Sequence, residues 1–243
     1  MPEMSASRGV IVQMPLFAVP PKVEMRAPEV HAISVPARAF TGDFYFMHRA
    51  MDRLWFALGD VAGKGLPAAL VMAMIQEELE HRIVSCARTA CDPSVTMTRL
   101  HAFLKPLIAS NKFATVVIGN LHDDGTLQIA NAGHCPPMIV RADGEIESID
   151  STGPVVGVLS SSQWTTFEST LEDDDSLILY SDGVSEAESC DGEEFGVRRL
   201  AAALKAAPGR RTPEEIAEHL HHAVDQHAGG ARKDDLTILA ITR

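Results

Sequence analysis

Four short segments place an aspartate beside glycine or a second acid where an apolar run ends. They are T-G-D-F-Y with Asp43, G-D-V-A-G-K-G with Asp60, Y-S-D-G-V with Asp182, and K-D-D-L-T with Asp234 and Asp235. Singly, each is ordinary turn chemistry, because aspartate and glycine favour tight turns at strand ends. Four together, delivered by separate loops, make a set of hard oxygen donors of the kind that holds a pair of Mg²⁺ or Mn²⁺ ions. Other chemistries fare worse. The run from Gly59 to Gly65 is one residue short of a phosphate-binding P-loop and ends in glycine where Ser or Thr is required. Its glycines suit a tight turn, and Lys64 within it could meet a substrate phosphate as a point charge or stand in solvent. No G-x-S-x-G elbow and no Cys-His pairing is recognisable, so a covalent mechanism has no support. His134 has the residue type of a general acid, but the favoured reading is a histidine that braces its turn. His219, His221 and His222 lack an accompanying acidic motif and read as surface residues.

The elements that must position these aspartates follow from hydrophobic period. From Glu29 onward, H-A-I-S-V, D-F-Y-F-M-H and R-L-W-F-A-L-G-D-V read as successive antiparallel strands. A helix follows with Pro67 in its first turn, and a second opens behind Asp92 as N-cap and is stopped or kinked by Pro106. The chain then returns to strands through hairpin turns at Asp123–Gly125 and Asp143–Gly144, with further strands at T-T-F-E-S-T-L and S-L-I-L-Y. Thr212, Pro213 and Glu215 announce a last helix by capping-box spacing, and L-T-I-L-A-I-T closes the chain as a strand. Helices inserted in groups predict an α+β layered domain: two antiparallel sheets stacked face to face, with helices outside. Loop aspartates then collect at one edge of the sandwich. Residues 1–28, rich in Pro and Met without periodicity, read as a poorly ordered arm or adapter, and residues 29–243 as one domain.

Composition excludes several classes. Lys and Arg number 21 against 33 Asp and Glu, a net charge of −12, which opposes binding to nucleic acid or an anionic membrane. No apolar run is long enough to span a bilayer, and the N-terminus lacks the pattern of a secretion signal. Cys86, Cys91, Cys135 and Cys190 form no C-x-x-C pair, so a reduced, cytoplasmic protein is expected.

Six blocks in order carry a more specific likeness: GDFY at 42–45, GDVAGKGLPAAL at 59–70, NAGHCPP at 131–137, LYSDGVSEA at 179–187, EFG at 194–196 and DDLT at 234–237. On these the chain resembles the PPM family of metal-dependent protein phosphatases, in the bacterial branch of SpoIIE-type regulators. The resemblance implies a four-layer α-β-β-α sandwich. It implies two Mn²⁺ or Mg²⁺ ions held by Asp43, Asp60, the backbone carbonyl of Val61, Asp182 and Asp234, with Asp60 between the ions. Asp235 is then a support or a ligand to a looser third ion. It further implies hydrolysis of phosphoserine or phosphothreonine without a phosphoenzyme, the substrate being a phosphorylated anti-sigma-factor antagonist. Departures from the family pattern fall at Thr41, Phe46 and Ala62. The alternative is a non-catalytic module that binds a phosphoprotein or an anti-sigma factor, and retention of every core aspartate argues against it.

Overall fold

The computed structural model describes residues 28–37, 39–63, 65–86, 91–108, 112–206, 212–230 and 232–243. With strands and helices numbered in chain order, one sheet is formed by β1 (Glu29–Val35), β10 (Leu236–Thr242), β9 (Ser176–Tyr180), β6 (Met138–Val140) and β7 (Ile146–Ser148), adjacent in that order. The other runs β2 (Phe44–Ala50), β3 (Arg53–Val61), β4 (Ala114–His122), β5 (Thr126–Ala132) and β8 (Phe167–Thr170). All neighbouring strands are antiparallel.

The two-residue period of a strand sorts side chains into three apolar layers. On β3, Leu54, Phe56 and Leu58 point between the sheets, where they meet Leu177 and Leu179 of β9 and Leu239 and Ile241 of β10. The alternate residues Trp55, Ala57 and Val61 pack outward against Met72, Ile75 and Leu79 of α1 (Leu66–Cys86) and Leu100 and Leu104 of α2 (Pro93–Leu104). On the opposite side, Ile178, Tyr180, Ile238 and Ala240 meet Leu200 and Leu204 of α4 (Gly196–Ala206) and Ile216, Leu220 and Val224 of α5 (Pro213–Ala228). The result is the layered α-β-β-α sandwich that the pattern predicts. Each fully buried Leu, Ile or Phe in these layers contributes about 1.5–3 kcal/mol. Phe56 lies over its cross-strand partner Gly119, where an added Cβ would come within 2.4 Å of the ring. A side chain at 119 therefore forces the middle layer to repack.

The helix signals behave as their chemistry predicts. Asp92 caps α2 by accepting from the Ser94 N–H at 2.7 Å, and Pro106 lies just beyond the helix end. Thr212 and Glu215 close a full capping box at the start of α5, which ends on left-handed Gly229. Two elements differ from expectation. The helix α4 follows directly on the E-F-G block and opens on Gly196 with no Ser, Thr or Asp cap to announce it. Cys91 is disulfide-bonded, whereas Cys135 and Cys190 are free, against the expectation that all four thiols are reduced. The arm assigned to residues 1–28 lies outside the described residues except for Pro28.

Candidate metal centre at one end of the sandwich

The residues that face each other between the sheets are apolar along most of each strand and turn polar at one end. On β3 the row Leu54, Phe56, Leu58 continues to Asp60, and on β10 the row Ile241, Leu239 continues to Thr237 and then Asp235. On β9 Leu177 and Leu179 lead to Ser181, and on β2 Met47 and Tyr45 lead back to Asp43. Strand period alone therefore delivers these groups to one mouth of the sandwich. The short helix α3 (Asp182–Ser185) starts immediately after β9 and places Asp182 there as well.

A hydrogen-bond network fixes the rim across both sheets. Thr237 Oγ1 donates to Asp43 Oδ2 at 2.7 Å, and its second neighbour is Ser34 Oγ at 3.3 Å. Ser181 and Thr237 exchange backbone and side-chain bonds: Ser181 N–H to the Thr237 carbonyl, and Thr237 N–H to Ser181 Oγ, both 2.9 Å. Asp235 accepts from the Ala37 N–H at 2.7 Å with one oxygen and from the Gly42 N–H at 3.2 Å with the other. One carboxylate thus ties both ends of the turn that presents Asp43. Gly42 permits the approach on the far side of that turn, because a Cβ there would lie 2.6 Å from Asp60 Oδ1 and 3.0 Å from the Val61 carbonyl oxygen. Gly183 is similarly confined, its Cβ position being 2.0 Å from the Asp235 carbonyl oxygen.

Crowding acids into this mouth perturbs them. Asp43 is 4% exposed, and burial, followed by the Asp60 charge, raises its carboxyl well above the usual range, against the lowering effect of Thr237 and Ser181. Asp60 is pushed up to about 7, first by burial and then by Asp182, Asp234 and Asp235. Burial and the charges of Asp182 and Glu186 drive the nearby Cys135 thiol up to about 12, so it is no nucleophile at neutral pH. The Coulombic coupling shows that Asp60 shares one electrostatic site with Asp182, Asp234 and Asp235 and that Asp43 shares it with Asp60 and Asp235. Among the described residues no three His, Cys, Asp or Glu side chains are gathered closely enough to hold an ion as they stand. A divalent cation would offset the like charges of such a set. Oxygen-only donors around raised carboxyls fit Mg²⁺ or Mn²⁺ on chemical grounds.

The sequence-derived set divides as follows. Asp43, Asp60, Asp182, Asp234 and Asp235 lie at the same end of the sandwich, near enough for their charges to act on Asp43 or Asp60, and Asp60, Asp234 and Asp235 line one cleft there. Val61 turns its side chain into the outer helix layer, and its N–H donates to the Gly42 carbonyl at 3.3 Å. Lys64 lies outside the described residues. Phe46 packs on the helix side of β2, opposite Asp43, so the departure at that position is directed away from the acids. His134 is braced as expected: Asn131 accepts from its N–H at 2.9 Å and donates to its carbonyl at 3.2 Å, and Nδ1 lies 2.9 Å from Thr115 Oγ1. Burial lowers this imidazole to about 4, leaving it neutral at pH 7. Ser181, Thr237 and Thr41, whose Oγ1 accepts from the Asp43 N–H at 3.0 Å, were not read as site residues from sequence. The signal for Ser181 and Thr237 was available, since both continue an inward-facing apolar row.

The profile of the Stage II sporulation protein E (SpoIIE) family matches residues 50–243. The chain belongs to the SpoIIE family. Among its relatives, the phosphoserine phosphatase RsbU of Bacillus subtilis is 27% identical over 219 residues, covering 88% of this chain and 63% of RsbU. The crystal structure of the RsbU and RsbW domains of Rv1364c from Mycobacterium tuberculosis superposes with a TM-score of 0.77 at 26% identity, over 89% of this chain and 60% of that one. The catalytic domain of the serine/threonine protein phosphatase PstP, solved in complex with two manganese ions, shares the fold with a TM-score of 0.61 at 16% identity, over 89% and 99%. This SpoIIE-family chain therefore spans less than two thirds of RsbU and of the Rv1364c structure, and its fold is the PP2C-type phosphatase sandwich. Among the described residues no helix is long and apolar enough to cross a membrane.

Proposed function

We propose that this protein is a divalent-metal-dependent phosphoprotein phosphatase acting on phosphoserine or phosphothreonine. The observation that carries the reading is that Asp43, Asp60, Asp182 and Asp234, from four separate segments of the chain, stand at one end of the sandwich within electrostatic reach of Asp60. Membership of the SpoIIE family and likeness to RsbU support it. Asp60, whose charge interacts with acids from both sheets, would be a central ligand of a site for two ions, Mn²⁺ or Mg²⁺. Asp43, the Val61 carbonyl, Asp182 and Asp234 complete the donor set. Asp235 acts as the tie of the Asp43 turn, since both its oxygens already accept backbone N–H groups. When bound, the ions supply charge neutralisation for the phosphoryl oxygens and an acidified water.

The chain's own groups do the rest. Thr237 and Ser181 hydrogen-bond the Asp43 carboxyl and oppose, without cancelling, the rise that burial and Asp60 impose on it, Gly42 leaves the mouth open beside Asp60, and the apolar layer behind Leu58 and Leu239 excludes water from the base of the site. His134, buried and neutral, positions the N-A-G-H turn and transfers no proton. Lys64 remains a proposed substrate contact. The substrate we propose is a phosphorylated anti-sigma-factor antagonist in a partner-switching pathway, by analogy with RsbU, in a cytoplasmic setting. The test is phosphate release from candidate phosphorylated antagonists, phosphopeptides and p-nitrophenyl phosphate with Mn²⁺ or Mg²⁺ and with EDTA. Metal-dependent release that EDTA abolishes is expected. Full activity after exhaustive chelation refutes the metal mechanism, and phosphoprotein binding without any release points instead to a non-catalytic binding module.

A further inference from the structure

A cleft of about 130 Å³ opens over Asp60, between Gly42 on one side and Asp234 on the other. Of the described residues lining it, Lys233 alone carries a positive charge. A second cleft of about 120 Å³ lies on the other side of Asp234, bordered by Glu186, Glu188 and Arg232, and Lys233 and Asp234 form the wall common to both. Among the described residues, two neighbouring cations are committed elsewhere. Arg232 binds Asp225 at 2.6 Å and His221 at 2.8 Å, and Lys112 donates to the Ala62 carbonyl at 3.0 Å, holding the loop that follows Asp60. Among the described residues Lys233 pairs with Glu188 on the second-cleft side, with 74% of its side chain exposed.

Such a pair between exposed groups is weak and screened by salt. A phosphate dianion entering the first cleft offers the ammonium a more highly charged partner on the same wall, and the flexible four-carbon stem allows the exchange. The alternative is a surface ion pair that merely steadies the approach to β10, and the two readings predict opposite effects of removing Glu188.

We infer that Lys233 binds the phosphoryl oxygens of the substrate and that Glu188 holds it off the site until the substrate arrives. The inference rests on the phosphatase reading and extends it to a residue the sequence motifs do not single out. Inorganic phosphate is titrated calorimetrically into the Mg²⁺-loaded full chain and its Lys233→Ala, Lys233→Arg and Glu188→Gln variants. Lys233→Ala weakens phosphate binding about tenfold, Lys233→Arg retains most of it, and Glu188→Gln tightens it about two- to threefold. With p-nitrophenyl phosphate, the loss in Lys233→Ala falls on KM rather than on kcat, as expected for binding shared by ground and transition states. Wild-type affinity in Lys233→Ala, weakened binding in Glu188→Gln, or no measurable phosphate binding by the wild type overturns the inference. If the wild type binds phosphate but hydrolyses nothing, the phosphatase reading falls, and the titration still decides the role of Lys233.

Discussion

Replacing Asp60 by asparagine should make the metal-free protein more stable while removing its activity. In the folded chain the Asp60 carboxyl is raised from 3.8 to about 7 by burial and by Asp182, Asp234 and Asp235. That difference corresponds to about 4 kcal/mol of penalty on the ionised form, and relaxation of a partly solvated group leaves about 2–4 kcal/mol. The sign follows from proton counting. Between about pH 4 and 7 the unfolded chain has lost the Asp60 proton and the folded chain still holds it, so stability falls as pH rises through that window and the penalty is complete above it. The amide of the Asp60→Asn variant keeps the shape of the carboxyl without its charge. In EDTA at about pH 8, urea unfolding should therefore show Asp60→Asn more stable than wild type by about 2–4 kcal/mol, and the gap should shrink to about half or less at about pH 5. Saturating Mn²⁺ should narrow the gap, because ligand binding stabilises the wild type by about 2.7 kcal/mol at a hundred times Kd and the variant by less. A variant less stable than wild type in EDTA at alkaline pH, or a gap independent of pH, refutes the electrostatic account of the site.

Asp182→Ala should lower kcat about 10²–10³-fold in phosphatase assays, the loss typical of a removed electrostatic group. Asp123→Ala, at a hairpin turn where the carboxylate pairs with Arg49, should leave kcat near wild type; an equal loss in both would mark general destabilisation. Thr237→Val removes the hydroxyl that donates to ionised Asp43, so the acid limb of the pH–rate profile should move up by about one pH unit. An unmoved limb would show that Asp43 does not depend on that bond. A folded phosphoprotein should exceed short phosphopeptides in kcat/KM, because a shallow cleft of about 130 Å³ offers a peptide little to grip and selectivity then comes from binding energy remote from phosphorus.

The aspartates were legible in the sequence because each stands in a block with glycine or a second acid at the end of a strand, and the sandwich was legible because strand and helix periods differ. The supporting shell was harder to read. Ser181 and Thr237 are unremarkable strand residues until β9 and β10 are placed side by side and β2 is packed across from them, and only then does Thr237 reach Asp43 over 194 residues of chain. The role of Asp235 depends in the same way on where the turn from Ala37 to Gly42 is placed. A short helix such as α4, with no capping residue and only Leu200 and Leu204 fully buried, leaves a weak period behind a conspicuous motif.

The placement of the site and the stability of the fold rest on one property of β3. Its two-residue period sends Leu54, Phe56 and Leu58 into the layer between the sheets and, two residues on, sends Asp60 to the rim. The apolar part of the row holds the sheets together, and the polar end would weaken that contact anywhere but at the edge, where solvent or a cation can meet the charge. A one-residue slip of β3 against β4 would turn the Leu row outward and Asp60 with it, so a register error removes core packing and candidate ligand together. The paired register from Arg53 opposite His122 to Val61 opposite Ala114 guards against this over the whole strand, with Phe56 locked above Gly119 midway. Folding correctly and presenting Asp60 are thus a single event.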